Sequence, residues 1–117
     1  MERAESDARA KVVDFDDLSS ADRIWVQTKR SKYQFSISDP HNGRGTLTGG
    51  LLGDQTLDAL FSGTISEDSR DFDSLQLKTG TRAVFFIETE NHTERLVTSP
   101  ITNLAVAKYR ASGQCAA

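Results

Sequence analysis

The residue types that carry out nucleophilic catalysis or bind transition metals are sparse in this sequence. It contains two histidines, His41 and His92, and one cysteine, Cys115. Both histidines lie in polar stretches that predict turns, and Cys115 lies in a segment that we expect to fray. Nucleophilic catalysis needs a nucleophile, a base and a group that orients the base, and zinc needs several ligands at fixed spacings. We therefore predict a protein that is not an enzyme, with no cofactor and no bound metal.

One acidic run contains enough carboxylates to attract a cation. Residues 67–73 carry four carboxylates, interrupted by Arg70. The run lacks the glycine and the distal glutamate of an EF-hand loop, so we interpret it as a solvated loop. An enzyme that uses two of these carboxylates for acid–base work is the alternative, but nothing in the sequence sets one pair apart.

A basic cluster is the best candidate for ligand binding. Lys29, Arg30 and Lys32 lie at a predicted hairpin tip beside Tyr33, and Arg44 lies nearby if the next hairpin folds alongside. Cations beside aromatic rings bind phosphate-bearing ligands through charge and stacking. The alternative, which the acidic balance of the whole chain favours, is a charged tip that aids solubility and blocks edge pairing.

Alternating polar and apolar residues predict the strands that would position these groups. Tyr33, Phe35 and Ile37 alternate with polar residues, the period expected of a strand with one buried face. Seven short segments predict strands in this way: 24–28, 33–38, 46–48, 61–66, 82–89, 94–98 and 101–109. Because their connections are short, neighbouring strands must be antiparallel. We predict an all-β fold, a small antiparallel barrel or sandwich of six to seven strands.

The ends of the chain lie outside this pattern. Residues 2–13 are rich in Ala, Glu, Arg and Lys, which favour a helix. We predict a flexible or short helical segment over residues 1–15, a single β domain over residues 16–110 and a frayed tail over residues 111–117. Inside the domain, residues 53–60 have room for one further helix of about two turns.

Two short segments repeat one pattern ahead of a predicted strand. Residues 18–23 read Leu-Ser-Ser-Ala-Asp-Arg, and residues 77–82 read Leu-Lys-Thr-Gly-Thr-Arg. The leucine would anchor each loop in the core, and the small fourth residue would permit a sharp turn. Because the similarity does not extend over a whole repeat unit, we favour a recurrent way of entering a strand over two half-barrels with pseudo-symmetry.

Apolar residues on both faces of one strand predict an interaction surface. Phe85 and Ile87 point to one face, while Val84 and Phe86 point to the other, and Trp25 likewise points opposite to its neighbours. A small barrel buries only its inner face, so the outward residues Trp25, Val84 and Phe86 need a cover. The N-terminal segment offers only small side chains, which leaves a second sheet and self-association as equal alternatives.

Charge and composition narrow the classes of function. The chain carries 17 acidic and 14 basic residues, a net charge of −3, which disfavours general nucleic-acid binding. No stretch approaches the ~20 apolar residues of a membrane helix, and the first residues lack the apolar run of a secretory signal. We therefore expect a cytoplasmic protein that does not associate with membranes.

These observations lead to two hypotheses about function. The first is a non-catalytic protein-interaction or self-associating module, whose partner is another protein or a second copy of the chain and whose interface contains Trp25, Val84 and Phe86. The alternative is a small-ligand or nucleotide-binding module that uses the basic hairpin tip.

Overall fold

The computed structural model describes residues 7–67, 70–72 and 75–108. Over these residues the chain forms eleven strands and three short 3-10 turns. The strands are β1 (Asp7–Ala10), β2 (Val12–Asp14), β3 (Arg23–Thr28), β4 (Lys32–Asp39), β5 (Arg44–Gly49), β6 (Thr56–Ile65), β7 (Arg70–Asp71), β8 (Gln76–Lys78), β9 (Arg82–Glu88), β10 (Thr93–Val97) and β11 (Ile101–Ala107). The 3-10 turns are Phe15–Asp17, Pro40–Asn42 and Gly50–Leu52.

Nine of these strands form one sheet. Its order is β1-β11-β3-β4-β5-β6-β9-β10, with β7 paired to β6, while β2 and β8 form a separate pair. Every pairing is antiparallel, which confirms the predicted all-β antiparallel class. The seven predicted strands correspond to β3, β4, β5, β6, β9, β10 and β11. Within the described ranges no pairing joins β1 to β10, so the main sheet is not closed.

Four phenylalanine rings form the centre of the core. Phe15 stacks on Phe61 with 4.9 Å between ring centroids, and Phe35 meets Phe85 edge-on at 5.2 Å. Phe61 and Phe85 complete the cluster at 5.5 Å, within the range in which aromatic pairs attract. Phe35, Phe61 and Phe85 come from three strands of the main sheet, whereas Phe15 begins the 3-10 turn between β2 and β3. The N-terminal part of the chain therefore helps to close the core.

The predicted short N-terminal helix is wrong over the described residues. Residues 7–10 form β1, which pairs with β11, and residues 12–14 form β2, which pairs with β8. Helix propensities differ by less than about 1 kcal/mol per residue, so pairing with an available strand edge outweighs them. This part of the chain also buries Val13 and Phe15, although we expected it to offer only small side chains.

Residues 53–60 contain no helix. The strand β6 begins at Thr56, between β5 and β9, and both neighbours pair with it. Its register against β9 shifts between Phe61 and Gly63, as a β-bulge does. Pairing on both sides explains why this stretch, which has room for a helix, forms none: a central strand already satisfies its backbone groups.

The two repeated segments adopt similar backbone conformations, and we call them the first corner (residues 18–23) and the second corner (residues 77–82). The leucine of each corner is buried. The small fourth residue has a positive φ in both, 77° at Ala21 and 86° at Gly80. The arginine of each corner is the first residue of a strand, β3 or β9. The repeated pattern therefore specifies a tight left-handed step into a strand.

Some predictions fall on residues that the structure does not describe. Cys115 and the predicted tail over residues 111–117 lie outside the described residues, as do residues 1–6. The proposed domain boundaries after residues 15 and 110 stay predictions. In the described ranges, none of the helical segments combines the length and apolar character needed to cross a bilayer.

Candidate anion-binding site

The β3–β4 turn carries the basic residues, and its main chain is fixed against the loop between β10 and β11. The N–H of Lys29 donates to the carbonyl oxygen of Pro100 at 3.1 Å. The N–H of Arg30 donates to Ser99 Oγ at 3.2 Å and approaches Thr28 Oγ1 at 3.3 Å. A loop far away in sequence therefore holds the backbone from which both cationic side chains extend.

Arg82 joins these cations from the start of β9. A cleft of about 500 Å³ is lined by Lys29, Arg30 and Arg82, together with uncharged residues that include Ser31 and Ser99. No carboxylate belongs to this lining, and in the part of the chain that the structure describes none of the three cations forms an ion pair. We call this cavity the basic cleft.

The side chains of the basic cleft suit an anion. Arginine presents a planar set of N–H donors that matches a carboxylate or phosphate in pairs, and lysine adds a compact positive charge. Three cations in one cavity repel one another, so an anion among them removes that repulsion while gaining charge-assisted hydrogen bonds. The basic cleft is therefore a local positive site on a chain with a net charge of −3.

Tyr33 lines the basic cleft as a buried residue, not as an exposed aromatic ring. Its side chain is buried, and its hydroxyl oxygen accepts a hydrogen bond from the N–H of Leu51 at 3.4 Å. The Gly50–Leu52 turn packs directly on the Tyr33 ring, so closely that a Cβ added at Gly50 would lie 2.3 Å from the ring. Tyr33 therefore positions the Gly50–Leu52 turn at the edge of the cleft.

Lys32 and Arg44 do not join the basic cleft. Lys32 is exposed on β4, outside the lining. We expected Arg44 nearby if the next hairpin folds alongside. That hairpin does fold alongside, but Tyr33 pairs with Gly49, at the end of β5 opposite to Arg44. Antiparallel pairing thus moves Arg44 away from the tip, into a separate cleft that also contains Asp58 and Glu88. Of the predicted patch, the structure brings together Lys29, Arg30 and Tyr33.

The three predicted interface residues lie on different parts of the sheet. Trp25 is half-buried on β3, where it pairs with Ala105 and Gln34. Phe86 is half-buried on β9, and β4, β5 and β6 lie between β3 and β9 in the sheet. Val84 is only 2% exposed. These residues therefore do not form one continuous surface patch.

The two histidines and the described acidic residues do not assemble into a polar centre. His41 is exposed in the Pro40–Asn42 turn, and His92 is exposed between β9 and β10, with Nε2 2.9 Å from Glu94 Oε2. Across the described ranges, no group of three or more His, Cys, Asp or Glu residues is arranged to hold a metal ion. Residues 68, 69 and 73 of the acidic run lie outside those ranges.

The sequence interpretation missed Arg82, Leu51 and Ser99 as members of the site. A signal for Arg82 was present, because it ends the second corner and therefore sits at the start of a strand. No comparable signal marks Leu51 or Ser99, since both reach the cleft through contacts between turns that are distant in sequence.

Known proteins offer no assignment for the basic cleft. The chain matches no family model, no curated protein and no solved structure.

Proposed function

We propose that this protein is a non-catalytic binding module for a small anionic ligand, which occupies the basic cleft. The observation that carries the proposal is the convergence of Lys29, Arg30 and Arg82 on one cavity without a neutralising carboxylate in its lining. The cavity volume of about 500 Å³ is in the range of small-molecule sites, roughly 300–1,000 Å³. A phosphate or carboxylate group is the chemistry that these side chains recognise.

The remaining lining residues favour binding over catalysis. The cleft contains the hydroxyl groups of Ser31, Thr98 and Ser99, but histidine, cysteine and carboxylates are absent from its lining. A serine nucleophile needs an adjacent base to remove its proton. Thr98 is also committed to the fold, because its Oγ1 accepts the N–H of Ala83 at 3.0 Å. Its hydroxyl proton is donated to the carbonyl oxygen of Ser99 at 2.8 Å, so the hydroxyls of Ser31 and Ser99 are the ones suited to donating hydrogen bonds to a bound anion.

Calorimetric titration with pyrophosphate tests the proposal. We expect saturable binding whose affinity falls as salt is added. At about 0.01 M ionic strength the screening length is roughly 30 Å, and it shortens as the ionic strength rises. Replacing Arg30 or Arg82 by glutamine should each weaken binding about tenfold, the loss expected for one hydrogen bond to a charged group. Arg44→Gln is the matched control, since Arg44 lines a different cleft. Unchanged affinity in a triple glutamine variant of Lys29, Arg30 and Arg82 would refute the proposal.

Self-association through the open edge of β10 is a second candidate function. In the described part of the chain, β10 has a partner strand on one side only. The N–H of Thr98, the residue after β10, donates to the carbonyl oxygen of Ala83 in β9 at 3.0 Å. Since hydrogen-bonded pairs alternate along an antiparallel ladder, Leu96 and Glu94 also direct their main-chain groups towards β9.

The intervening residues Thr93, Arg95 and Val97 therefore direct their main-chain groups towards the open edge. Such an edge is a template for pairing with another chain. If two copies pair there, light scattering should detect a dimer at high concentration. Arg95→Pro should abolish it by removing an outward N–H, whereas Arg95→Ala should retain it. A wild-type protein that stays monomeric at high concentration would exclude this candidate.

A further inference from the structure

The basic cleft continues into an apolar one. A second cavity of about 520 Å³ lies beside it, and the two cavities share Leu51 and Val97 in their linings. We call this second cavity the apolar cleft. Leu51, in the Gly50–Leu52 turn, is 79% exposed, so it forms an apolar ridge where the two cavities meet.

Leucine and isoleucine side chains line the apolar cleft. Leu52 and Leu57 are partly buried and pack on the core from the β5–β6 side, while Leu96 on β10 is 8% exposed. Ile87 of β9 also contributes to this lining. An alkyl or aryl group placed here would remove both its own surface and the exposed Leu51 side chain from water, which is favourable in proportion to the apolar area buried.

The charges of the two cavities set the orientation of such a ligand. The basic cleft has three cations and no carboxylate in its lining. The apolar cleft has one carboxylate, Glu94, and one cation, Arg95, so its opposite charges balance. An anionic group is therefore attracted to the basic end, while the apolar end supplies no excess positive charge for a second one.

We infer that the ligand is an amphipathic anion, with its acidic group at Lys29, Arg30 and Arg82 and its apolar chain across Leu51 in the apolar cleft. This inference rests on the proposed anion-binding function and adds the chemical class of the ligand. A free alkyl phosphate and a long-chain carboxylate share this chemistry. We assign the ligand as a free molecule and not a lipid within a bilayer, and vesicle binding distinguishes the two sources.

Calorimetry with three compounds tests the inference on the full chain. Octyl phosphate, below its micelle concentration, should bind at least roughly tenfold more tightly than ethyl phosphate, because each buried methylene contributes up to about fourfold. Octyl glucoside, which keeps the chain and lacks the charge, should bind far more weakly than octyl phosphate. Leu51→Ser should reduce the ratio between the octyl phosphate and ethyl phosphate affinities about threefold, because the octyl chain loses the apolar side chain that it crosses. Val12→Ser, which alters an apolar side chain that is 49% exposed on β2, should leave the ratio unchanged.

The outcomes separate this inference from the proposed function. Equal affinities for octyl and ethyl phosphate would overturn the amphipathic ligand and leave anion binding intact. Absence of binding by both phosphates would overturn the two together. If the protein sediments with phosphatidylglycerol vesicles but does not bind octyl phosphate, the assignment to a free molecule is overturned.

Discussion

The first and second corners make the same backbone hydrogen bonds. The N–H of Ala21 donates to the carbonyl of Ile37 at 2.8 Å, and the N–H of Gly80 donates to that of Ile101 at the same distance. Each isoleucine returns a hydrogen bond of 2.8 Å to the carbonyl of the following corner residue, Asp22 in the first corner and Thr81 in the second. Two unrelated stretches of sheet are therefore entered through one local geometry.

The fifth residue makes the two corners chemically different. Asp22 is 1% exposed, its Oδ2 accepts the N–H of Ser19 at 2.8 Å, and Lys108 Nζ lies 3.4 Å from the same oxygen. The equivalent residue of the second corner is Thr81, whose hydroxyl donates to the carbonyl of Lys78 at 2.8 Å. The first corner thus contains its own carboxylate, whereas the second leaves the positive charge of Arg82 to the basic cleft. One side chain thus distinguishes a corner with a buried carboxylate from a corner whose arginine lines the basic cleft.

The largest effect is expected from removing the buried carboxylate of the first corner. Asp22→Ala leaves the N–H of Ser19 without its acceptor and Lys108 without its counter-ion, so we expect a loss of about 2–3 kcal/mol in the free energy of unfolding. Thr81→Ala is the matched change and should cost about 1 kcal/mol or less. Urea denaturation at neutral pH measures both. Equal losses in the two variants would contradict the assigned difference between the corners.

Introducing a carboxylate at the fifth residue of the second corner should make that corner resemble the first. Thr81→Asp places a negative charge next to Arg82, which should weaken pyrophosphate binding about tenfold, or about 1.4 kcal/mol. Thr81→Asn supplies a side chain of similar size without the charge and should bind nearly as well as the wild type. Calorimetric titration measures both affinities, and equal weakening in the two variants would show that charge is not the cause.

The left-handed residues offer a matched exchange with a smaller effect. At Gly80, an added Cβ would meet no described atom within 4 Å, so Gly80→Ala tests backbone strain alone and should cost about 1 kcal/mol. Ala21→Gly removes the same strain and adds chain entropy to the unfolded state, so we expect a change within about 0.5 kcal/mol of zero. Thermal unfolding should therefore show a lower Tm for Gly80→Ala and a nearly constant Tm for Ala21→Gly.

The smallest effect concerns Asp14, which precedes the first corner. The N–H of Asp16 and the side-chain amide of Gln76, each 3.0 Å away, hold the pKa of Asp14 below its ordinary value. Because the folded-state pKa is lowered, the contribution to stability is present above the ordinary value of about 3.9 and is lost as pH falls through the lowered pKa. Asp14→Asn should therefore be slightly less stable than the wild type at neutral pH. Urea titrations at several pH values should show the difference shrinking below about pH 4.

Local pattern was sufficient to identify the main strands. Tyr33, Phe35 and Ile37 are all buried, as their alternation with polar residues predicts, because side chains of a strand point to opposite faces in turn. The local pattern was insufficient to identify β1 and β2, which lie in a segment whose composition favours a helix. Their strand conformation depends on β11 and β8, partners that lie far away in sequence.

The candidate site was predictable in part for the same reason. The turn residues Lys29 and Arg30 stand out because they are adjacent in sequence, whereas Arg82 reaches them through the packing of the β3–β4 turn on the loop before β11. Arg44 shows the converse error, since strand direction places it at the far end of β5.

The sequence alone determined the seven main strands, the turns between them and the need for a small residue at the fourth position of both corners, because these properties depend on neighbouring residues. Only the tertiary structure decided which cations share a cavity, that Phe15 completes the aromatic core and that Leu51 separates a basic from an apolar cleft. Those relations depend on strand order and register, and contacts between distant segments leave no periodic trace in a single sequence.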